Sequence, residues 1–110
     1  MREFFLRLIL AGMLCCVALP SPIQAQSDAA RIYKTNCVLC HSADGSGDNP
    51  TGKALHAKDL RSDEVQKQSD AELSEVIGKG KGKMPAFRAK IKPDDLQKLV
   101  AYIRNLPPKK

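Results

Sequence analysis

The sequence predicts one all-helical domain with long loops, on three observations. Apolar residues recur at helical spacing near both ends of the globular part. A capping box and a helix-opening proline mark two helix starts. No run alternates apolar and polar residues with the period of two that a half-buried strand needs. No repeat or low-complexity tract is long enough to argue a second domain.

The amino terminus is set aside first, because a targeting segment must be removed before a fold is argued. Arg2 and Arg7 accompany an unbroken apolar run, Leu8 to Leu19, which ends at Pro20. The run is shorter than the roughly twenty residues that a bilayer-crossing helix needs. The reading is therefore a secretory signal peptide at 1–25, cut after Ala25, with no permanent membrane span and a mature domain at 26–110. Cys15 and Cys16 leave with it, and Leu14 before Cys15 is larger than the residue that lipoprotein processing favours. The whole chain carries a net charge of +6, and losing Arg2, Arg7 and Glu3 lowers that by one. The remaining positive charge suits an acidic protein partner, although lysines that merely keep a small protein soluble explain it as well.

Within the mature part, Ser27 or Asp28 caps a helix through about Asn36, with Ala29, Ile32 and Tyr33 on one face. Ser42 to Gly52 consists of turn-forming residues and reads as a loop. Ser62 opens a short helix. Ser69 and Glu72 form a capping box for another that runs to about Ile77. Gly78, Gly80 and Gly82 alternate with Lys79, Lys81 and Lys83, giving a flexible, positively charged loop that Met84-Pro85 closes. Pro93 starts a last helix, Asp94 and Asp95 complement its positive end, and Leu96, Leu99, Val100 and Ile103 form its apolar stripe. Pro107-Pro108 ends it.

The chemistry is carried by Cys37-Val38-Leu39-Cys40-His41, a C-x-x-C-H run. At this spacing two thiols can each add to a haem vinyl group while the next side chain reaches the iron. Export agrees with that reading, because haem attachment takes place on exported chains. Two other uses of the pair fit less well. A redox disulfide calls for a thioredoxin-like sheet, and the chain shows no strands. A structural zinc site wants four ligands, and only His41 and His56 stand beside the two thiols.

With these residues the chain resembles the class I c-type cytochromes, in the short bacterial monohaem form that also occurs as the haem domain of cbb3-type oxidase subunits and of dehydrogenase assemblies. The resemblance covers residues 27–106 and rests on Cys37 to His41, on Met84-Pro85-Ala86-Phe87, and on Leu99-Val100-Ala101-Tyr102-Ile103. It implies a cytochrome c fold of about four short helices around one covalent haem c. Its first and last helices would cross, Ala29 and Tyr33 meeting Leu99 and Tyr102. Many relatives carry Gly where Ala29 stands, which implies a slightly wider crossing here. The resemblance also implies that the carbonyl of Pro50 accepts a hydrogen bond from His41.

For the second axial ligand, Met84 and His56 are the candidates. Met84 is preferred, because Pro85 holds it in extended backbone that directs the thioether inward. His56 reads as an ordinary, partly exposed histidine. Phe87, Leu55, Leu60 and Ile91 are candidate pocket walls. A haem closed on both faces stores an electron and binds no substrate, so the expectation is a monomeric one-electron carrier in the periplasm, not an enzyme. It would serve redox protein partners, with no nucleic acid involved. Lys79, Lys81 and Lys83, with Lys53 or Arg88, would ring the exposed haem edge. Two further readings are a permanent subunit of a dehydrogenase or oxidase, and a gas-binding haem sensor with a labile Met84.

Overall fold

The computed structural model describes residues 17–19 and 21–110. Six helices lie among them, with no strand: α1 Pro22–Asn36, α2 Val38–His41, α3 Pro50–Leu55, α4 Asp63–Gln66, α5 Asp70–Lys79 and α6 Pro93–Arg104. Most of the export segment read at 1–25, Cys15 and Cys16 included, lies outside the described residues. Among the described residues no helix is long and apolar enough to cross a membrane.

Local sequence sets each helix start. Pro22 stands in the first turn of α1 and Ser21 precedes it in extended backbone, so the helix begins before Ser27 and Asp28. Ser27 caps nothing; its hydroxyl donates back to the Gln24 carbonyl inside the helix. Ser62 caps α4 by accepting from Val65 N, and the Ser69–Glu72 capping box opens α5. The fold holds two more helices than the four expected, namely the short α2 and α3. Asn49 caps α3 through its side chain and Pro50 opens it, so the loop expected through Gly52 stops at Asn49.

The terminal helices α1 and α6 make the most extensive pairing, α5 packs on α6, and α2 packs on α3. Tyr33 and Tyr102 meet across the crossing with ring centroids 5.1 Å apart and planes tilted by 41°. Ala29 and Leu99 are both fully buried. Tyr33, Leu73, Ile77, Leu99, Val100 and Ile103 belong to one apolar cluster drawn from α1, α5 and α6. Each fully buried aliphatic side chain there contributes about 1.5–3 kcal/mol relative to exposure. Arg104 fastens this core to the preceding loop, donating to the carbonyls of Gln66 and Gln68 and to Asp70.

Candidate functional site

A cavity of about 370 Å³ opens between α2 and the loop after α5, a size within the usual range for small-molecule and cofactor sites. Cys37, Cys40 and His41 line it together with Met84, Pro85 and Phe87, while Leu60, Leu73 and Ile77 add to its apolar wall. The fold thus brings Cys37, Cys40, His41, Met84 and Phe87 to one pocket although Met84 lies far along the chain from Cys37, while Pro50, also expected at the site, does not line it.

Backbone contacts build the Cys–His side. Cys37 N donates to Tyr33 O at 2.8 Å, so α1 leads directly into the motif, and His41 N donates to Cys37 O at 2.9 Å to close the turn. Asn49 and Gly52 brace it from behind. Asn49 Nδ2 donates to Ser42 Oγ at 2.6 Å, and Asn49 Oδ1 accepts from Gly52 N at 2.7 Å. Gly52 is packed against the carbonyls of Cys40 and Gly47 so closely that a Cβ would collide with both. That close approach lets α3 support the short α2.

His41 Nδ1 lies 2.9 Å from the carbonyl of Lys58. The expected partner, Pro50, is not the residue that faces it. Pro50 stands in the first turn of α3, where a carbonyl is directed along the helix toward the amide four residues on. Leu60 N in turn donates to Gly45 O at 2.8 Å, which fastens the strip carrying Lys58 over α2. With Nδ1 engaged, Nε2 is the ring nitrogen left for a metal. Burial pushes the pKa of His41 below its ordinary value, the opposing effect of the Lys58 carbonyl being smaller. The neutral ring is the form that binds a metal.

The Cys37 thiol is buried, and desolvation pushes its pKa up to about 11. Cys40 is half-buried, and neither thiol is in a disulfide. Leu39, between them, projects at the pocket mouth with 74% of its surface exposed.

Met84, also in the pocket lining, is half-buried and packs against the apolar core. Its backbone pairs with Lys81 in both directions, at 3.1 and 3.0 Å. Phe87 N donates to Ile77 O at 3.0 Å and Arg88 N to Gly78 O at 3.1 Å, so the chain after Met84 is strapped to the end of α5. His56 is exposed, caps α3 in left-handed backbone at φ 55°, and also touches the pocket. Of the proposed walls, Phe87, Leu55 and Leu60 line this cavity. Ile91 does not: a tight turn, Ile91 N donating to Phe87 O, sends it into the core beside α1.

Lys81 and Lys83 stand exposed at the rim. The other lysines expected there are engaged elsewhere, Lys79 with Glu75 and Lys53 with Asp48. Lys58, missed in the sequence, also lines the pocket and pairs with Glu64 at 2.8 Å. Lys58, by hydrogen bonding first, draws the Glu64 carboxyl below its ordinary pKa.

The residues present fit a haem. Two thiols, a histidine with one engaged nitrogen and a thioether border one apolar cavity. No group of three or more His, Cys, Asp or Glu able to hold a metal ion occurs among the described residues, so a four-ligand zinc site has no support there.

Comparison with known proteins places this geometry among relatives. Residues 24–103 match the family model described as cytochrome C oxidase, cbb3-type, subunit III. Cytochrome c6 of Nostoc sp. is 30% identical over 105 residues, spanning 94% of this chain and 92% of its own. Cytochrome c6 of Anabaena variabilis is 30% identical over 76 residues, covering 69% of this chain and 85% of its own. Among solved structures, KustC0563 c-type cytochrome superposes with a TM-score of 0.64 at 34% identity, over 74% of this chain and 99% of that one.

Proposed function

The chain belongs to the cbb3-type subunit III family of small class I c-type cytochromes, and on that premise we propose that it is a one-electron carrier with a single haem c joined to Cys37 and Cys40. His41 Nε2 and the Met84 thioether would hold its iron in this reading. One observation carries the proposal: both thiols, His41 and Met84 line the same largely apolar pocket. The bound haem supplies one redox-active iron that can gain or lose an electron.

The protein's own groups do the rest. The Lys58 carbonyl orients His41. Phe87, Leu60 and Ile77 keep water away. A dry pocket disfavours the extra charge of the ferric state and thioether sulfur favours the ferrous state, so both raise the potential. With His41 and Met84 holding its iron, the haem would be closed to a substrate, and the function is electron carriage rather than catalysis. Lys81 and Lys83 at the rim favour brief docking of an acidic redox protein. Export with cleavage near Ala25 delivers a monomeric periplasmic protein. His56 is exposed at the end of α3, which favours Met84 over it as the second ligand.

Met84→Ala tests the ligand assignment. The ferric protein should lose its thioether-to-iron absorption band and its potential should drop; an unchanged spectrum removes Met84 from the iron. The description of the matched family favours a second reading, a haem subunit held permanently in an oxidase. Purification with a larger partner would support that reading, and purification alone would support the free carrier.

A further inference from the structure

The Met84 loop is held in place by a residue that never touches the pocket. Gly80 follows the last turn of α5 with φ 77° and ψ 167°, a backbone region essentially restricted to glycine. The space beside it is also closed. A Cβ at Gly80 would lie 2.7 Å from Met84 O, 2.9 Å from Ala86 N and 3.0 Å from the Pro85 carbonyl carbon. All three are backbone atoms, and they cannot swing aside as the end of a flexible side chain can. They belong to the segment that carries the proposed ligand.

The neighbouring glycines, Gly78 in the last turn of α5 and Gly82 in the loop, differ. At Gly78 a Cβ would meet only Arg88 and Leu96 side-chain atoms at 3.8 Å or more, which is ordinary contact. At Gly82 a Cβ would meet nothing within 4 Å. On either side of the contact the chain is fixed: Gly80 N donates to Val76 O at 2.8 Å, and Phe87 N and Arg88 N are strapped to Ile77 and Gly78. A displaced 84–86 segment therefore has to move at Met84 itself, between two fastened ends.

We propose that Gly80 is a positioning residue for the Met84 ligand: its bare Cα lets the 84–86 backbone approach α5 closely enough to present the thioether to the iron. The inference rests on the reading of Met84 as a ligand. It specifies that the Met-bound state depends on a missing side chain outside the pocket, and that adding one methyl there opens the iron.

The test compares haem-loaded Gly80→Ala, Gly78→Ala and Met84→Ala proteins. Gly80→Ala should weaken or abolish the thioether-to-iron band and raise the Met-off population, read as carbon monoxide binding to the ferrous protein, by about tenfold or more. Its helix content should be that of the parent chain, and Gly78→Ala should retain both the band and slow carbon monoxide binding. A double variant, Gly80→Ala with Met84→Ala, should bind carbon monoxide no better than Met84→Ala alone, since both changes act on one ligand. A parental band and parental carbon monoxide binding in Gly80→Ala would overturn the proposal. So would loss of its helix content, because Gly80 would then build the fold rather than place the ligand. If Met84→Ala itself keeps the band, it is the ligand assignment that fails, and the comparison separates the two.

Discussion

Tyr33 gives the sharpest test of how the terminal-helix crossing supports the site. Its ring is 1% exposed and packs on Tyr102, and its hydroxyl donates to the Ser42 carbonyl at 2.7 Å. Ser42 directly follows His41. Tyr33→Phe keeps the ring and removes only this hydrogen bond. The Ser42 carbonyl still accepts from Gly45 N at 3.2 Å and is not orphaned. The cost should therefore be that of one neutral hydrogen bond, about 1 kcal/mol, rather than the larger penalty of a stranded buried acceptor. Tyr33→Ala also empties the ring site and loses the aromatic pair, for about 3–5 kcal/mol. Denaturant unfolding of the haem-loaded variants, followed by circular dichroism, measures both. Burial also holds the Tyr33 phenol above its ordinary pKa of 10.0. The unfolded chain releases that proton first, so this contribution is complete below pH 10 and is lost as pH rises beyond it; Tyr33→Phe should flatten that alkaline loss. Equal costs for the Phe and Ala variants, or an unchanged alkaline slope in Tyr33→Phe, would refute the reasoning.

Three further outcomes follow from the site. In haem-free chain at pH 8 only about a thousandth of Cys37 is thiolate, given its raised pKa, so iodoacetamide should label the more exposed Cys40 first; faster labelling of Cys37 contradicts its burial. Gly52→Ala drives a methyl into the Cys40 and Gly47 carbonyls and should destabilise the protein by more than about 3 kcal/mol, read as a lowered unfolding midpoint. Exchanging Lys81 and Lys83 for Glu should slow reduction by an acidic partner and weaken its dependence on salt, whereas Lys79→Glu, at a residue already paired with Glu75, should change it less.

Helix starts were legible where the signal stands outside a turn-rich stretch. The Ser69–Glu72 box and Pro93 each mark an end that the structure reproduces. Asn49-Pro50 is an equally good signal, a capping side chain followed by a first-turn proline, but it is embedded in a turn-rich stretch, and α3 was read as loop. The four residues of α2 are too few to show a period. Their helix is held by α1 before them and by Gly52 behind. That Cys37, Cys40, His41 and Met84 share one pocket was legible in outline because Cys, His and Met are scarce in this chain. Lys58 was not, since it faces His41 with a backbone carbonyl, and every residue owns one. Gly80 was visible only as a helix breaker. The backbone it must clear lies across a turn whose closure no spacing rule states.

Electron carriage by this chain depends on a porphyrin bonded to two sulfurs of one pentapeptide, Cys37 to His41. Intact-mass measurement of the exported protein, made in a host able to attach haem, tests it most directly. The expected result is the polypeptide mass plus one haem, with the added mass mapping to the peptide containing Cys37 and Cys40 after digestion. A coloured or colourless product with the bare polypeptide mass would contradict it.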